Sequence, residues 1–458
     1  MRRGLLILSI ALATVGCTSD DDLSTSSSTA PSLSTAPSTI SAQTTTAALP
    51  TASDVYRMVA PSLGFVETPL STGSGIFIGD GLLVTNAHVV WPYRSVTVSF
   101  FEGGGGHDLE VVDVDWSADL ALIDVSSITD LPAPTSLSET DYSSGDRIYL
   151  IGFPAEDPNA PEPAITTGII SRTRAWVDGG LTFIQSDALI SGGQSGGALV
   201  DAMGAVIGIT SLEIGEGFAL ALDASDVASR IEAMVAGGDP SGVGDRWLDD
   251  LALEDPTRPA EHFLDEIVWR FDASAGDEVS IAVKAQAPLS GSIIGPDGFL
   301  ETTLEGGVLA FTAELGGPHF VAVVPDAGFE TRIDLVTDVD LTLLDDPDHG
   351  VSIAVGDRQY GNIDYPGDLD WFAIELVEGE ELLITASSPN ADMGLYVGPL
   401  LDLSGDDARS DSDSGAGVIG ADAELRYTAA SSGTHIIGVF DETQFGPGAY
   451  ALRVESAR

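Results

Sequence analysis

From about residue 53 the chain runs in short apolar stretches bounded by Gly, Asp and Pro, at 75–78, 82–84, 96–101, 109–114, 120–125, 147–152, 165–171, 181–185, 198–200 and 205–211. In one of them Val96, Val98 and Phe100 alternate with Thr97 and Ser99, the period of a half-buried strand. Short strands at such close spacing predict a barrel or a sandwich. A single helical pattern follows at 224–236, with Asp226 near its start and Gly237-Gly238 at its end. The Gly-, Asp- and Pro-rich stretch after it reads as a linker, 238–254.

Beyond the linker the pattern repeats. Val268-Trp269-Arg270-Phe271 and then Gly276-Asp277-Glu278-Val279 correspond to Trp371-Phe372-Ala373-Ile374 and then Gly379-Glu380-Glu381-Leu382. Gly317-Pro318-His319-Phe320 likewise corresponds to Gly433-Thr434-His435-Ile436. Two β-sandwich modules are expected, at 255–340 and 341–458. The whole is expected to be all-β, with a first domain at 53–237.

The first residues change the setting. Arg2 and Arg3 precede an apolar run at 5–13, the layout of an export signal and too short for a membrane span. The run ends at Val15-Gly16-Cys17, which resembles a bacterial lipobox except at Thr14. Cys17 is the sole cysteine of the 458 residues, which excludes an intrachain disulfide and makes it the expected lipidation site. The plainer alternative is an ordinary signal peptide, 1–17. Residues 18–52, mostly Ser, Thr, Ala and Pro, cannot bury a core and read as a tether. The expected location is therefore outside the cytoplasm, as a cell-surface or periplasmic lipoprotein or else secreted. A lipid on Cys17 would be the one membrane contact.

Net charge is −53, with 71 acidic and 18 basic residues. Such a surface repels phosphate backbones and anionic headgroups, which excludes nucleic-acid binding. Acidity on this scale is read as a solubility device. The run Asp402, Asp406, Asp407, Asp411, Asp413 would suit Ca²⁺ by its oxygen donors. It lacks the Asp-x-Asp-x-Asp-Gly spacing, and solvated turns are the preferred reading. No other cofactor or metal is expected.

Three segments carry chemistry: Gly73-Ser74-Gly75-Ile76-Phe77-Ile78 followed by Leu83-Val84-Thr85-Asn86-Ala87-His88-Val89-Val90, then Ala118-Asp119-Leu120-Ala121-Leu122-Ile123, and Ser191-Gly192-Gly193-Gln194-Ser195-Gly196-Gly197-Ala198-Leu199-Val200. A serine hydroxyl is a weak nucleophile and needs a base beside it. His88 is the candidate base for Ser195, and Asp119 the candidate that orients and stabilises the imidazolium. The backbone N–H groups of Gly193 and Ser195 are candidate oxyanion donors in a loop whose glycines permit close approach. Taken singly, each has a plainer reading: a core histidine, a turn aspartate, a loop serine. Their joint order and flanks favour catalysis. His107, His262, His319, His349 and His435 stand in no comparable setting and are expected to be structural or exposed.

These segments resemble the trypsin-like serine proteases, and most closely their HtrA branch. The likeness runs over roughly 53–236 and extends to Ile151-Gly152-Phe153-Pro154, Gln185-Ser186-Asp187-Ala188 and Gly217-Phe218-Ala219-Leu220. It implies a double β-barrel, hydrolysis through an acyl-enzyme, and protein or peptide substrates. It implies also that Leu189 and Ile190 line the primary specificity pocket, and that Thr210-Ser211-Leu212 pairs with the substrate backbone. With no acid at the pocket positions, a small or medium apolar residue is expected before the scissile bond. Gln194 departs from the family's Asn or Asp. No PDZ-like segment follows, and no pattern sets an oligomeric state. Asp368-Leu369-Asp370-Trp371-Phe372, Ser432-Gly433-Thr434-His435 and Tyr450-Ala451-Leu452 resemble the bacterial pre-peptidase C-terminal domain, a β-sandwich appended to secreted proteases. The alternative function is an inactive protease scaffold serving surface adhesion.

Overall fold

The computed structural model describes residues 49–101, 105–138, 140–155, 161–214, 218–239, 246–253, 267–325, 333–348, 350–400, 408–411, 422–442 and 447–457. The export segment with Cys17, the tether up to residue 48, His262, His349 and the acids Asp402, Asp406, Asp407 and Asp413 lie outside these residues.

The first domain is two closed barrels. Strands β1 (Leu63–Glu67), β2 (Thr72–Gly79), β3 (Leu82–Thr85), β4 (Ser95–Phe100), β5 (His107–Asp115) and β6 (Leu120–Asp124) close in the order β1-β2-β3-β6-β5-β4. Strands β7 (Arg147–Gly152), β8 (Ala164–Trp176), β9 (Leu181–Ser186), β10 (Ala198–Asp201), β11 (Val206–Ile214) and β12 (Phe218–Asp223) close in the order β10-β11-β12-β9-β8-β7. Closure leaves no free edge, and alternate side chains fill each interior. The alternation read at 96–100 is the burial pattern of β4, with Val96, Val98 and Phe100 inward.

Helix α1 (Ala52–Val59) was not legible as a periodic pattern. Its start is a capping box, in which Thr51 Oγ1 accepts from Asp54 N–H and the Asp54 carboxylate accepts from Thr51 N–H. A short turn of helix, α2 (Ala87–Val90), carries His88. Helix α3 (Ala224–Val235) follows β12, its first turn capped by Asp223. No helix among the described residues is long and apolar enough to cross a membrane.

Two double-sheet units follow. In the first, Ile267–Ala273 pairs with Gly317–Pro325; in the second, Leu369–Leu376 pairs with Gly433–Asp441. The repeat extends to one local device. Nδ1 of His319 and Nδ1 of His435 each donate to the carbonyl two residues back, Gly317 and Gly433, both at 3.0 Å. Both rings are buried, so these two histidines are structural, while His107 is exposed.

The linker 238–254 is not loose along its described second half. Trp247, Leu248 and Leu251 are buried against the first barrel, and the Trp247 ring meets Trp116 edge-on at 5.9 Å. The apolar side chains within this stretch gain more from burial than a flexible spacer would. The first sandwich also runs past residue 340, because Thr342–Leu343 pairs with Trp269 and Arg270.

The second sandwich is docked on the barrels. Asp178, in the turn between β8 and β9, meets Arg358 at 2.5 Å, accepts from Arg453 Nε at 2.8 Å and from Ser387 Oγ at 3.0 Å. Trp176 Nε1 donates to Ser387 Oγ, and Asn390 Nδ2 donates to the Trp116 carbonyl. Arg246 bridges to Asp348 at 2.5 Å. Burial pushes the carboxyl groups of Asp364 and Asp370 upward, that of Asp364 to about 8.

Asp178→Ala leaves two arginines facing each other without their carboxylate. It is expected to cost about 2 kcal/mol, less than a fully sealed pair because both guanidinium groups are partly solvated. A lowered urea midpoint followed by tryptophan emission is the readout, and an unchanged midpoint contradicts the expectation.

Candidate active site

The three chemistry-bearing segments meet where the barrels face each other. Asp119 opens β6 in the left-handed region (φ 52°), a conformation that Asp tolerates better than most residues. The turn before it is built by Asp115, whose Oδ1 accepts from the amides of Ser117 and Ala118. Arg230 on α3 pairs with the other Asp115 oxygen at 3.0 Å. So held, the buried Asp119 carboxylate accepts from His88 Nδ1 at 2.8 Å (Oδ2) and from the His88 backbone N–H at 3.0 Å (Oδ1). Ser211 Oγ donates to Asp119 Oδ2 at 2.7 Å, and Asn86 Nδ2 donates to the Asp119 carbonyl at 2.8 Å.

The His88 side chain is 35% exposed but crowded by protein on its inner side. Burial disfavours the imidazolium; the charge and hydrogen bond of Asp119 more than offset this, and the ring is held above its ordinary 6.5. With Nδ1 committed to the carboxylate, Nε2 is the nitrogen left to accept a proton.

Ser195 sits half-buried in the loop between Ser191 and Gly197. Its hydroxyl donates to the Ser211 carbonyl at 2.9 Å. No hydrogen bond joins it to His88 among the described residues. The loop itself is tightly determined. Gly193 has φ 87°, and a Cβ there would stand 2.6 Å from the Phe153 carbonyl oxygen. Gly196 has φ 80°, and a Cβ there would stand 2.0 Å from the Ser74 carbonyl oxygen. Neither position admits a side chain.

The Gly192 carbonyl accepts from Ala155 N–H at 2.8 Å. A trans peptide points its N–H opposite its C=O, so the Gly193 N–H is turned away from Ala155. Among the described residues neither the Gly193 nor the Ser195 amide donates to a protein acceptor. An oxyanion hole requires donors left free in this way.

Gln194 has a definite role. It is buried, and its Oε1 accepts from the Ser191 backbone N–H at 2.8 Å and from Ser191 Oγ at 3.1 Å. It braces the loop from within. Ser74, part of the first chemistry-bearing segment but given no role by its pattern, joins the barrels. Its Oγ accepts from Phe153 N–H and donates to the Gly193 carbonyl, both at 2.8 Å, and its N–H donates to the Ser195 carbonyl at 2.7 Å.

The expected substrate-contact residues divide. Leu189 is 69% exposed, and Ile190 is half-buried beside the second barrel's core. Thr210 departs from its expected role. It is fully buried, its Oγ1 donates to the Gln194 carbonyl, and its backbone is bonded to Gly196 and Gly197. It supports the loop between Ser191 and Gly197, because the loop's inner carbonyls need donors. Ser211 is occupied with Asp119 and Ser195. Leu212 lies in β11, and its side chain is outside the described set.

Residues 73–209 match the family model of the trypsin-like peptidase domain. The chain carries a trypsin-like peptidase domain. The domain is similar to rat serine protease HTR4, 36% identical over 163 residues (34% of this chain and 32% of that relative). It is similar also to zebrafish serine protease HTRA1A, 34% identical over 193 residues (38% of this chain and 39% of that relative). The chain thus spans about a third of the length of these relatives. Among solved structures it is similar to the serine endoprotease from Yersinia pestis, with TM-score 0.36, 28% identity and coverage of 41% of this chain and 68% of that one. It is similar to the HtrA-type protease AlgW with tripeptide, with TM-score 0.37, 25% identity and coverage of 52% and 69%.

Ser74→Ala removes the acceptor of a buried amide and frees the Gly193 carbonyl. Stability is expected to fall by about 1–3 kcal/mol. Any hydrolytic turnover by the peptidase domain is expected to fall at least about tenfold in kcat with little change in KM, since the free Gly193 and Ser195 amides, the candidate oxyanion donors, lose alignment. A variant with wild-type kcat would contradict the role given to Ser74.

Proposed function

We propose that the chain is an exported serine endopeptidase, tethered at the cell envelope through Cys17, that hydrolyses peptide bonds through an acyl-enzyme on Ser195. The observation that carries this reading is the Asp119–His88 pair beside a loop with two undonated amides. His88 takes the Ser195 proton as the hydroxyl attacks the carbonyl, and the Gly193 and Ser195 amides receive the developing oxyanion. The same proton then goes to the leaving amine, and water releases the acyl group. The Ser195–Ser211 bond is the resting arrangement; rotation about one side-chain torsion releases the hydroxyl, and a bound substrate favours that turn.

Preference for a small or medium apolar residue before the scissile bond follows from Leu189 and Ile190. The nearest acid in sequence, Asp187, spends its Oδ1 on the Ile169 amide at 2.7 Å and is a poor partner for Lys or Arg. The competing reading, an inactive scaffold, is favoured only by the absent Ser195–His88 bond.

A fluorophosphonate probe separates the two readings. The wild type is expected to label and Ser195→Ala to stay dark, whereas equal faint labelling of both would sink the enzyme reading. A cleavage profile led by Arg or Lys would overturn the pocket.

The pH dependence has a fixed sign. Only neutral His88 accepts a proton, so kcat/KM rises with pH along a limb whose midpoint lies above 6.5. Asp119→Asn removes the group that raises it, so the limb moves to lower pH and the rate drops by on the order of 10⁴. A limb left in place by that substitution would assign the titration to another group.

A further inference from the structure

Carboxylates from three separate stretches converge at one end of the second sandwich. Asp346 and Asp348 come from the segment between the two sandwiches. Asn362 and Asp364 come from the end of the strand Arg358–Ile363 and the turn after it, and Asp368 and Asp370 from the start of Leu369–Leu376. One oxygen each from Asp346, Asp368 and Asp370 lie within 4.8 Å of one another, and the same holds for Asp346, Asp348 and Asp364.

The Asp346–Asp348–Asp364 set has a cation. Arg246 reaches Asp348 at 2.5 Å and Asp364 at 3.4 Å. In the other set most oxygens have donors. Asp368 accepts from the Asp364 and Leu369 amides, Asp370 Oδ2 accepts from Tyr450 Oη at 2.5 Å, and Asp346 Oδ1 accepts from the Asp348 amide. Two remain. Asp346 Oδ2 and Asp370 Oδ1 are sealed from solvent without a hydrogen-bond partner, and Asp370 as a whole is 0% exposed. Asn362 Oδ1 nearby is sealed and unpartnered as well. Buried acceptors are normally satisfied, and a buried carboxylate oxygen with neither donor nor cation is strongly disfavoured.

We propose that Asp346, Asp368 and Asp370 bind a Ca²⁺ ion. The donors are all oxygen, which excludes the soft and imidazole-seeking metals. Oxygens on opposite sides of Ca²⁺ stand up to about 5 Å apart at bonds of about 2.3–2.6 Å, which accommodates this cluster. Irregular loop donors also suit its flexible coordination better than the strict octahedron of Mg²⁺. Asp346 belongs to the connection between sandwiches, and Arg246, from behind the peptidase domain, shares the adjoining carboxylates. The ion therefore fastens the place where peptidase domain, connection and second sandwich meet. It stands apart from the acidic run at 402–413.

The test uses the full chain carrying Ser195→Ala, so that self-cleavage does not enter. After EGTA treatment and dialysis into about 150 mM NaCl, which screens diffuse attraction to the acidic surface, CaCl₂ is titrated calorimetrically and Tm is measured. A saturable binding event and a Tm rise of at least about 2 °C are expected. Both are expected to vanish in Asp346→Asn and in Asp370→Asn, and to persist in Asp411→Asn. If Asp370→Asn fails to fold, the half-exposed Asp346→Asn carries the test. Absence of any response in the parent chain, a response that survives Asp346→Asn, or one lost in Asp411→Asn overturns the site. An equal response to MgCl₂ overturns the choice of calcium.

Discussion

The ion pair between Arg230 and Asp115 lies at the centre of the peptidase domain's dependence on the rest of the fold. Asp115 is fully buried, and Arg230 nearly so. Breaking a pair of that kind by removing one partner costs about 3–5 kcal/mol, because the survivor is left charged in a poor solvent. One end of the pair belongs to the last helix of the domain. The other builds the turn that forces Asp119 into its left-handed backbone and aims its carboxylate at His88. Arg230 also donates to the Gly179 carbonyl, next to the Asp178 that receives the second sandwich. Candidate acid, closing helix and docked module are thus fastened by one guanidinium.

Scarcity of cations explains this economy. With 71 acids against 18 basic residues, most carboxylates can only face water. Four of the arginines answer buried or partly buried carboxylates: Arg230 at Asp115, Arg358 and Arg453 at Asp178, Arg246 at Asp348 and Asp364. Asp346, Asp368 and Asp370 come together at the same junction, where the bases run out, and a divalent cation is the physical substitute.

The barrels were legible because their signals are local. A strand's alternation, a glycine-bounded turn and the flanks of His88, Asp119 and Ser195 can each be read within about ten residues. Thr210 and Ser74 were not legible in the same way. A serine in a β-strand is unremarkable until β2 is brought against a loop more than a hundred residues later, where its hydroxyl finds Gly193. Thr210 carries the right flanks for a substrate strand, yet the need of the Gln194 carbonyl for a donor turns its side chain inward. The acidic cluster was hidden for the opposite reason. In a chain so rich in Asp, a dense run at 402–413 attracts attention, while the buried group is dispersed over some 25 residues and assembled only by the sandwich.

The resting Ser195 conformation follows from these same supports. Ser211 uses its hydroxyl to hold Asp119 and its carbonyl to hold Ser195. Both bonds are made by one residue at the point where β11 departs from regular pairing with β12, between Thr210 and Glu213. A substrate chain laid along β11 would compete for backbone groups in that irregular stretch. Under the proposed function, engagement of a substrate and release of the Ser195 hydroxyl would then be a single event, with His88 already oriented by Asp119. The energy needed is that of one neutral hydrogen bond, about 1 kcal/mol, small beside what a few substrate backbone bonds return.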